Sequence, residues 1–198
     1  MKIALYFGSF NPVHNGHLII ANHVAQMEDL NEVWFVVSPQ NPFKKENQLL
    51  NANHRLQMIR LAVENENKIK ASNVEFKLPT PSYTVNTLIY LKEIYPKNEF
   101  VIVLGSDGFQ NISKWKNIDF IIENYEFYIY QRPGFEIVNS LQAKIRILDS
   151  PQILISSTYI RKLLADNKSI SFLVPDTVKV EIEKNKYYLS KSENPSQD

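Results

Sequence analysis

The sequence predicts an α/β protein: a single Rossmann-like domain with a mostly parallel sheet and helices on both faces. Three observations carry that expectation. Short apolar runs without alternation, Ile3 to Phe7, Val33 to Val37 and Phe100 to Leu104, have the composition of strands covered on both sides. Segments with apolar residues at helical spacing separate them, as parallel pairing requires. Each run ends in a polar stretch containing Gly, Pro, Ser or Asn, and an open parallel sheet keeps its ligands at that end.

Composition narrows the functional classes. The 198 residues suffice for one domain with a substantial core. Lys+Arg of 22 against Asp+Glu of 21 gives no basic field, which argues against a nucleic-acid partner but leaves local phosphate sites open. With Cys at 0, disulfides and thiolate chemistry are excluded. No secretory pattern precedes the first strand and no apolar run approaches membrane-spanning length, so a cytoplasmic location without a membrane partner is expected. Residues 1–190 read as the domain and 191–198 as a disordered tail, and nothing in the composition argues against a homo-oligomer.

The first element is the strand Ile3 to Phe7, broken by Gly8, where the backbone can turn and approach a ligand, and by the turn dipeptide Asn11-Pro12. Leu18, Ile20, Ala21, Val24, Ala25 and Met27 then recur at helical spacing and place His17 in the first turn of a helix. Unpaired N–H groups there attract anions, and His14 and His17 stand three residues apart at the entrance. The stretch Gly8-Ser9-Phe10-Asn11-Pro12-Val13-His14-Asn15-Gly16-His17 resembles the phosphate-binding signature of the nucleotidylyltransferase superfamily, with its histidine pair written H-x-G-H. The motifs that follow narrow the resemblance to the bacterial nicotinate-nucleotide adenylyltransferase family.

A second strand, Glu32 to Val37, completes a βαβ unit and runs into the Pro-broken loop Ser38 to Glu46. In the family this loop carries a P-P-H-K-like sequence near the substrate; here Phe43 stands at the histidine's place, while Asn41 and Lys44 remain candidate binders. His54 to Val63 reads as a helix capped by Asn51 or Asn53, with His54 and Arg55 as first-turn surface groups. A weaker strand is expected around Val74 to Leu78. Ser82 to Leu88 opens a helix reaching Leu91 and Ile94, capped by Ser82 or Thr84, whose free N–H groups suit a carboxylate. The segment resembles the family's P-S-Y-T-[IV]-D-T-L motif, which holds the nicotinate ring and its carboxylate. It departs in Asn86 for Asp and in Leu78, where Arg is common.

Phe100 to Leu104 leads to Gly105-Ser106-Asp107-Gly108, at the place of the family's G-[AS]-D, a carboxylate suited to ribose hydroxyls or to water around a metal. Trp115, flanked by two lysines, corresponds to the family tryptophan that stacks on the pyridine ring. Phe127 to Tyr130 is a strand ending in an Arg-Pro-Gly motif at Arg132, and Ile145 to Leu148 a further one. Ile155-Ser156-Ser157-Thr158-Tyr159-Ile160-Arg161 matches the family's I-S-S-T-x-x-R signature: hydroxyls at a helix start with a guanidinium one turn on, a second phosphate cradle. Helices over Ile160 to Ala165 and Asp176 to Glu183 close the domain.

The resemblance implies a nucleotidylyltransferase-type fold and transfer of AMP from ATP to nicotinate mononucleotide, giving nicotinate adenine dinucleotide and pyrophosphate in NAD biosynthesis. It implies His14 and His17 at the α- and β-phosphates, and Arg161, Ser157 and Thr158 at the leaving end. Gly8, Ser9, Phe10, Gly105, Asp107, Ile155 and Ser156 complete the ATP site, and Asn41, Lys44, Tyr83, Thr84, Trp115 and Arg132 face the acceptor. Mg²⁺ is expected to be held through phosphates and water, because no ligand cluster with metal spacing is evident. Nicotinamide mononucleotide or phosphopantetheine as acceptor, and a nucleotide sensor without turnover, remain alternatives.

Overall fold

The computed structural model describes residues 1–42 and 49–189. Six strands, β1 (Lys2–Gly8), β2 (Glu32–Val37), β3 (Ile69–Ser72), β4 (Glu99–Gly105), β5 (Glu126–Tyr130) and β6 (Ile145–Leu148), pair in parallel in the order β3-β2-β1-β4-β5-β6. The chain winds outward from β1 to β3, then returns to the other side of β1 to start β4. That reversal opens a crevice at the carboxyl ends of β1 and β4, where Gly8 and Gly105 lie.

The pleat sorts the core into two layers. Ala4, Tyr6, Val101, Val103 and Tyr128 face one side, packed with α1 (Asn15–Ala25), α2 (Ala52–Ala62), α6 (Ser157–Ala165) and α7 (Asp176–Lys184). Ile3, Leu5, Phe100, Ile102, Phe127 and Ile129 face the other, under α3 (Thr84–Ile94), the short α4 (Ser106–Phe109) and α5 (Ile118–Asn124). The expected single domain of parallel strands with helices on both faces is therefore what forms. Among the described residues no helix is long and apolar enough to cross a membrane.

Four local expectations are corrected. Val74–Lys77 is a 3₁₀ turn, and the strand lies just before it, pairing Val33 with Ile69 through Val36 with Ser72. Val74 and Phe76 imitate strand alternation, whereas true β3 sits at the sheet edge with an exposed Lys70 and so lacks an apolar signature. Helix α3 takes Tyr83 as its N-cap without a side-chain bond; Ser82 is buried beneath it and Thr84 is already helical. Helix α2 begins at Ala52, with Asn51 accepting from the Asn53 N–H at 2.9 Å.

The fourth correction is Arg55. It lies in the first turn of α2 but is 0% exposed. Its Nη1 donates to the carbonyls of Ser9 (2.6 Å) and Ser38 (2.9 Å), Nη2 to that of Pro39 (2.8 Å) and Nε to that of Leu50 (2.7 Å). One guanidinium thereby joins the segments that follow β1 and β2. Burial lowers its pKa, and the four charge-assisted bonds oppose that cost. His54, beside it, is exposed as expected, with Nδ1 2.8 Å from Tyr187 Oη. The next residue, Tyr188, donates to Asn11 Oδ1 at 3.0 Å, and Asn11 Oδ1 also accepts the Leu50 N–H. The C-terminal segment thus grips the turn after β1.

Removing the Arg55 donors strands four carbonyls, two of them in fully buried bonds. Arg55→Met is expected to lower unfolding free energy by at least ~3 kcal/mol, measured by urea denaturation, although the change is hydrophobic and the volumes are similar.

Candidate active site

The crevice is a cleft of about 750 Å³ that gathers residues from both ends of the chain. Gly8, Ser9, Phe10, His14 and His17 line it from the β1–α1 side, and Ser156, Ser157, Thr158 and Arg161 from the start of α6. Asn41, Tyr83, Thr84, Trp115, Gly105, Asp107 and Arg132 form the remaining wall. Every sequence-predicted site residue among those described therefore meets in one place, except Ile155. That residue lines a small adjoining recess with Tyr6, His14, His17, Tyr130 and Arg132. Lys44, Phe43 and most of their loop lie outside the described residues, as does the expected tail.

The turn after β1 differs in detail from its expectation. The left-handed residue is Phe10 (φ 46°), not Gly8, which stays in the strand. A Cβ on Gly8 would lie 2.7 Å from the Phe10 ring, so the glycine makes room for that ring to fold back over the strand end. Phe10 packs edge-on against His17 and Phe35 at centroid distances of 5.0 Å.

His14 is the N-cap of α1, and its Nδ1 accepts from the His17 N–H; His17 Nδ1 accepts in return from the His14 N–H, both at 3.3 Å. This is a capping box made by two histidines, with the rings stacked 3.6 Å apart. A neutral imidazole whose Nδ1 accepts must carry its proton on Nε2, so the box presents both rings as Nε2–H donors. The glycine of H-x-G-H also has a reason: a Cβ on Gly16 would meet His14 Nδ1 at 3.0 Å and Ile153 at 3.3 Å. Backbone donors at this helix start are largely spent, because Asn15 N–H bonds the Leu173 carbonyl and His17 N–H is capped. The Gly16 N–H has no partner among the described residues, and the two imidazoles stand beside it as side-chain donors.

The α6 start is the converse. Ser156 caps Tyr159 N–H at 3.2 Å, Ser157 Oγ donates to the Pro12 carbonyl at 2.8 Å, and Arg161 Nη1 to the Asn11 carbonyl at 2.8 Å. The N–H groups of Ser157 and Thr158 have no partner among the described residues. The two predicted cradles are thus hydrogen-bonded to each other. At α3 the N–H groups of Thr84 and Val85 are likewise without a partner among the described residues, with Trp115 nearby on the cleft wall. Trp115 is half-buried against the second core layer, 6.4 Å from the Phe127 ring, so it serves packing as well as the cleft. Asp107 pairs with Arg132 Nη1 at 3.6 Å, which engages the carboxylate assigned to ribose or a metal-bound water.

Sequence reasoning missed Glu75, 1% exposed on the cleft wall. Its Oε1 accepts from Thr87 Oγ1 at 2.8 Å, and its second oxygen has no aligned donor among the described residues. Burial pushes its pKa up, only partly offset by the hydroxyls of Thr87, Ser38 and Ser82. Lys116 was also missed; its Nζ lies 4.7 Å from the Tyr83 ring centre.

Two anion-directed helix starts meeting at the switch point of a 3-2-1-4-5-6 parallel sheet define a nucleotide-binding protein of the nucleotidyltransferase class. The chain belongs to the cytidylyltransferase-like family, whose model matches residues 5–163. It is 48% identical over 191 residues to a sequence named probable nicotinate-nucleotide adenylyltransferase from Flavobacterium johnsoniae, covering 95% of this chain and 99% of the relative. One of the same name from Christiangramia forsetii is 47% identical over 191 residues, 94% of this chain and 98% of that relative. Among solved structures, Plasmodium falciparum nicotinic acid mononucleotide adenylyltransferase complexed with NaAD has the same fold. It aligns at a TM-score of 0.81, with 24% identity, over 94% of this chain and 97% of that one.

Burial, and next the Arg132 charge, lower the His14 pKa from 6.5 to about 4. Its folded pKa lies below the unfolded one, so the unfolded chain binds more protons between the two. Stability is expected to fall as pH drops from about 6.5 to about 4, by up to ~3 kcal/mol. His14→Asn keeps an N-capping side chain without the titration, and its stability curve over that window should be flatter in pH-dependent denaturation.

Proposed function

We propose that this chain transfers AMP from ATP to nicotinate mononucleotide, releasing pyrophosphate and forming nicotinate adenine dinucleotide for NAD biosynthesis. The observation that carries the reading is the juxtaposition in one cleft of the histidine capping box, the α6 start and the α3 start with Trp115. The first two suit a triphosphate, the third an aromatic carboxylate. The near-full-length identity to the relatives above supports the same reaction.

The acceptor phosphate is ionised at neutral pH, so the reaction asks for alignment and charge stabilisation rather than a strong base. In this reading His14 and His17 donate from Nε2 to the α- and β-phosphates. The N–H groups of Ser157 and Thr158, with Arg161, hold the departing end. An arriving phosphate opposes the burial that keeps His14 neutral, while the capping box, which needs an unprotonated Nδ1, favours the neutral ring donating from Nε2. Tyr83, Thr84 and Trp115 hold the pyridine carboxylate and ring, with Asn41 and Arg132 beside them, and Lys44 is proposed as a further contact.

Magnesium enters as part of the substrate, Mg·ATP. In this reading the ion is held by phosphates and water. When bound it supplies charge neutralisation on the triphosphate.

Pyrophosphate release should require Mg·ATP and favour nicotinate mononucleotide over nicotinamide mononucleotide and phosphopantetheine. His17→Ala is expected to lower kcat by at least ~100-fold, the scale for losing a donor to developing phosphoryl charge. Preference for the amide would overturn the carboxylate role of the α3 start, and no turnover with any acceptor would favour a nucleotide sensor. Trp115→Ala should raise KM for the acceptor by about 10-fold while changing KM for ATP little.

A further inference from the structure

Two tyrosines that the sequence gives no reason to single out meet at the floor of the cleft. Tyr6 on β1 and Tyr130 on β5 stand on the same face of the sheet and reach across β4, and Tyr6 Oη donates to Tyr130 Oη at 3.0 Å. Their contact depends on the end of β4. A Cβ on Gly105 would lie 3.0 Å from Tyr130 Cζ, 2.9 Å from Arg132 Cδ and 2.5 Å from Asp107 Oδ1. The glycine therefore leaves the space in which a phenol, a guanidinium and a carboxylate converge.

Tyr6 has little freedom to do anything but orient its partner. It is 3% exposed and enclosed by the rings of Phe10, Phe35 and His17 at centroid distances of 5.6, 5.3 and 6.0 Å. The Arg132 side chain shares with the Tyr130 ring the space beside Gly105. A phenolic oxygen accepts two hydrogen bonds and donates one. With Tyr6 donating to the Tyr130 oxygen, the Tyr130 hydrogen is left to point elsewhere. Tyr130 lines both the cleft and the recess shared with His14, His17 and Arg132. Three kinds of donor, imidazole Nε2–H, guanidinium and phenol, thus converge on one volume, and the ligand chemistry they suit is a phosphoryl oxygen.

We propose that Tyr130 is a further substrate contact, its hydroxyl donating to a phosphoryl oxygen opposite the histidine pair, with Tyr6 as the positioning residue that fixes the direction of that donor. The proposal rests on the nucleotidyl-transfer reading above and adds a group to it. Burial raises the pKa of Tyr130, so the phenol keeps its proton and donates throughout the neutral range.

The test uses the full chain with two variants and two readouts. Tyr130→Phe removes only the hydroxyl; it should lower kcat/KM for pyrophosphate release by 10- to 100-fold and weaken binding of inorganic pyrophosphate, measured by calorimetry, by at least about 5-fold. Tyr6→Phe, which leaves the donor in place but unoriented, should give a smaller loss in the same two quantities. A purely structural tyrosine pair would instead shift the unfolding midpoint in both variants and leave kcat/KM and pyrophosphate affinity at wild-type values, and that result overturns the proposal. Absence of turnover by the wild-type protein would overturn the nucleotidyl-transfer reading alone, because pyrophosphate affinity of the two variants still decides whether Tyr130 faces a phosphate.

Discussion

The cleft depends on one buried cation. The Arg55 guanidinium is surrounded by main-chain carbonyls from three separate stretches, Ser9, Ser38–Pro39 and Leu50. Among the described residues no carboxylate pairs with it, so the charge is compensated by peptide dipoles whose positions it dictates in turn. Loops leaving the carboxyl ends of parallel strands have no ladder to hold them, and their carbonyls need partners when buried. Arg55 supplies these from a rigid helix. The segment so fixed runs into Phe10, whose left-handed backbone and inward ring set the direction in which the chain reaches His14.

From that anchor the two anion sites acquire complementary chemistry. At α1 the Asn15 and His17 N–H groups are taken by Leu173 and by the histidine box, which leaves the imidazoles as the side-chain donors. At α6 the peptide donors remain and the hydroxyl and guanidinium groups tie the helix to the Asn11-Pro12 carbonyls. One site offers side-chain donors and the other peptide donors of fixed geometry. In-line transfer between two anions benefits from both, since charge develops on the transferring phosphoryl and on the departing end alike.

Much of this was legible in the sequence because strong local signals carried it. Both-face burial marked β1, β2 and β4, and the motifs around His14, Tyr83, Asp107, Arg132 and Ser157 lie where topology brings strand ends together. What escaped was signalled by partners without side chains or by unremarkable residues. Arg55 looks like a surface residue of a polar helix turn because its four acceptors are peptide carbonyls, which leave no trace in residue identity. Glu75 was lost with the misplaced third strand, since Val74 and Phe76 alternate as a strand would. The Tyr6–Tyr130 contact joins residues 124 positions apart, and nothing short of the sheet order brings them together.

The bond from Tyr188 to Asn11 spans 177 positions, from the turn after the first strand to the close of the described chain. On the ribosome the turn at Asn11 therefore emerges well before the residue that braces it. A nascent chain can pair the strands of its sheet and still carry an unbraced turn after β1 until Tyr188 has been made and has left the tunnel.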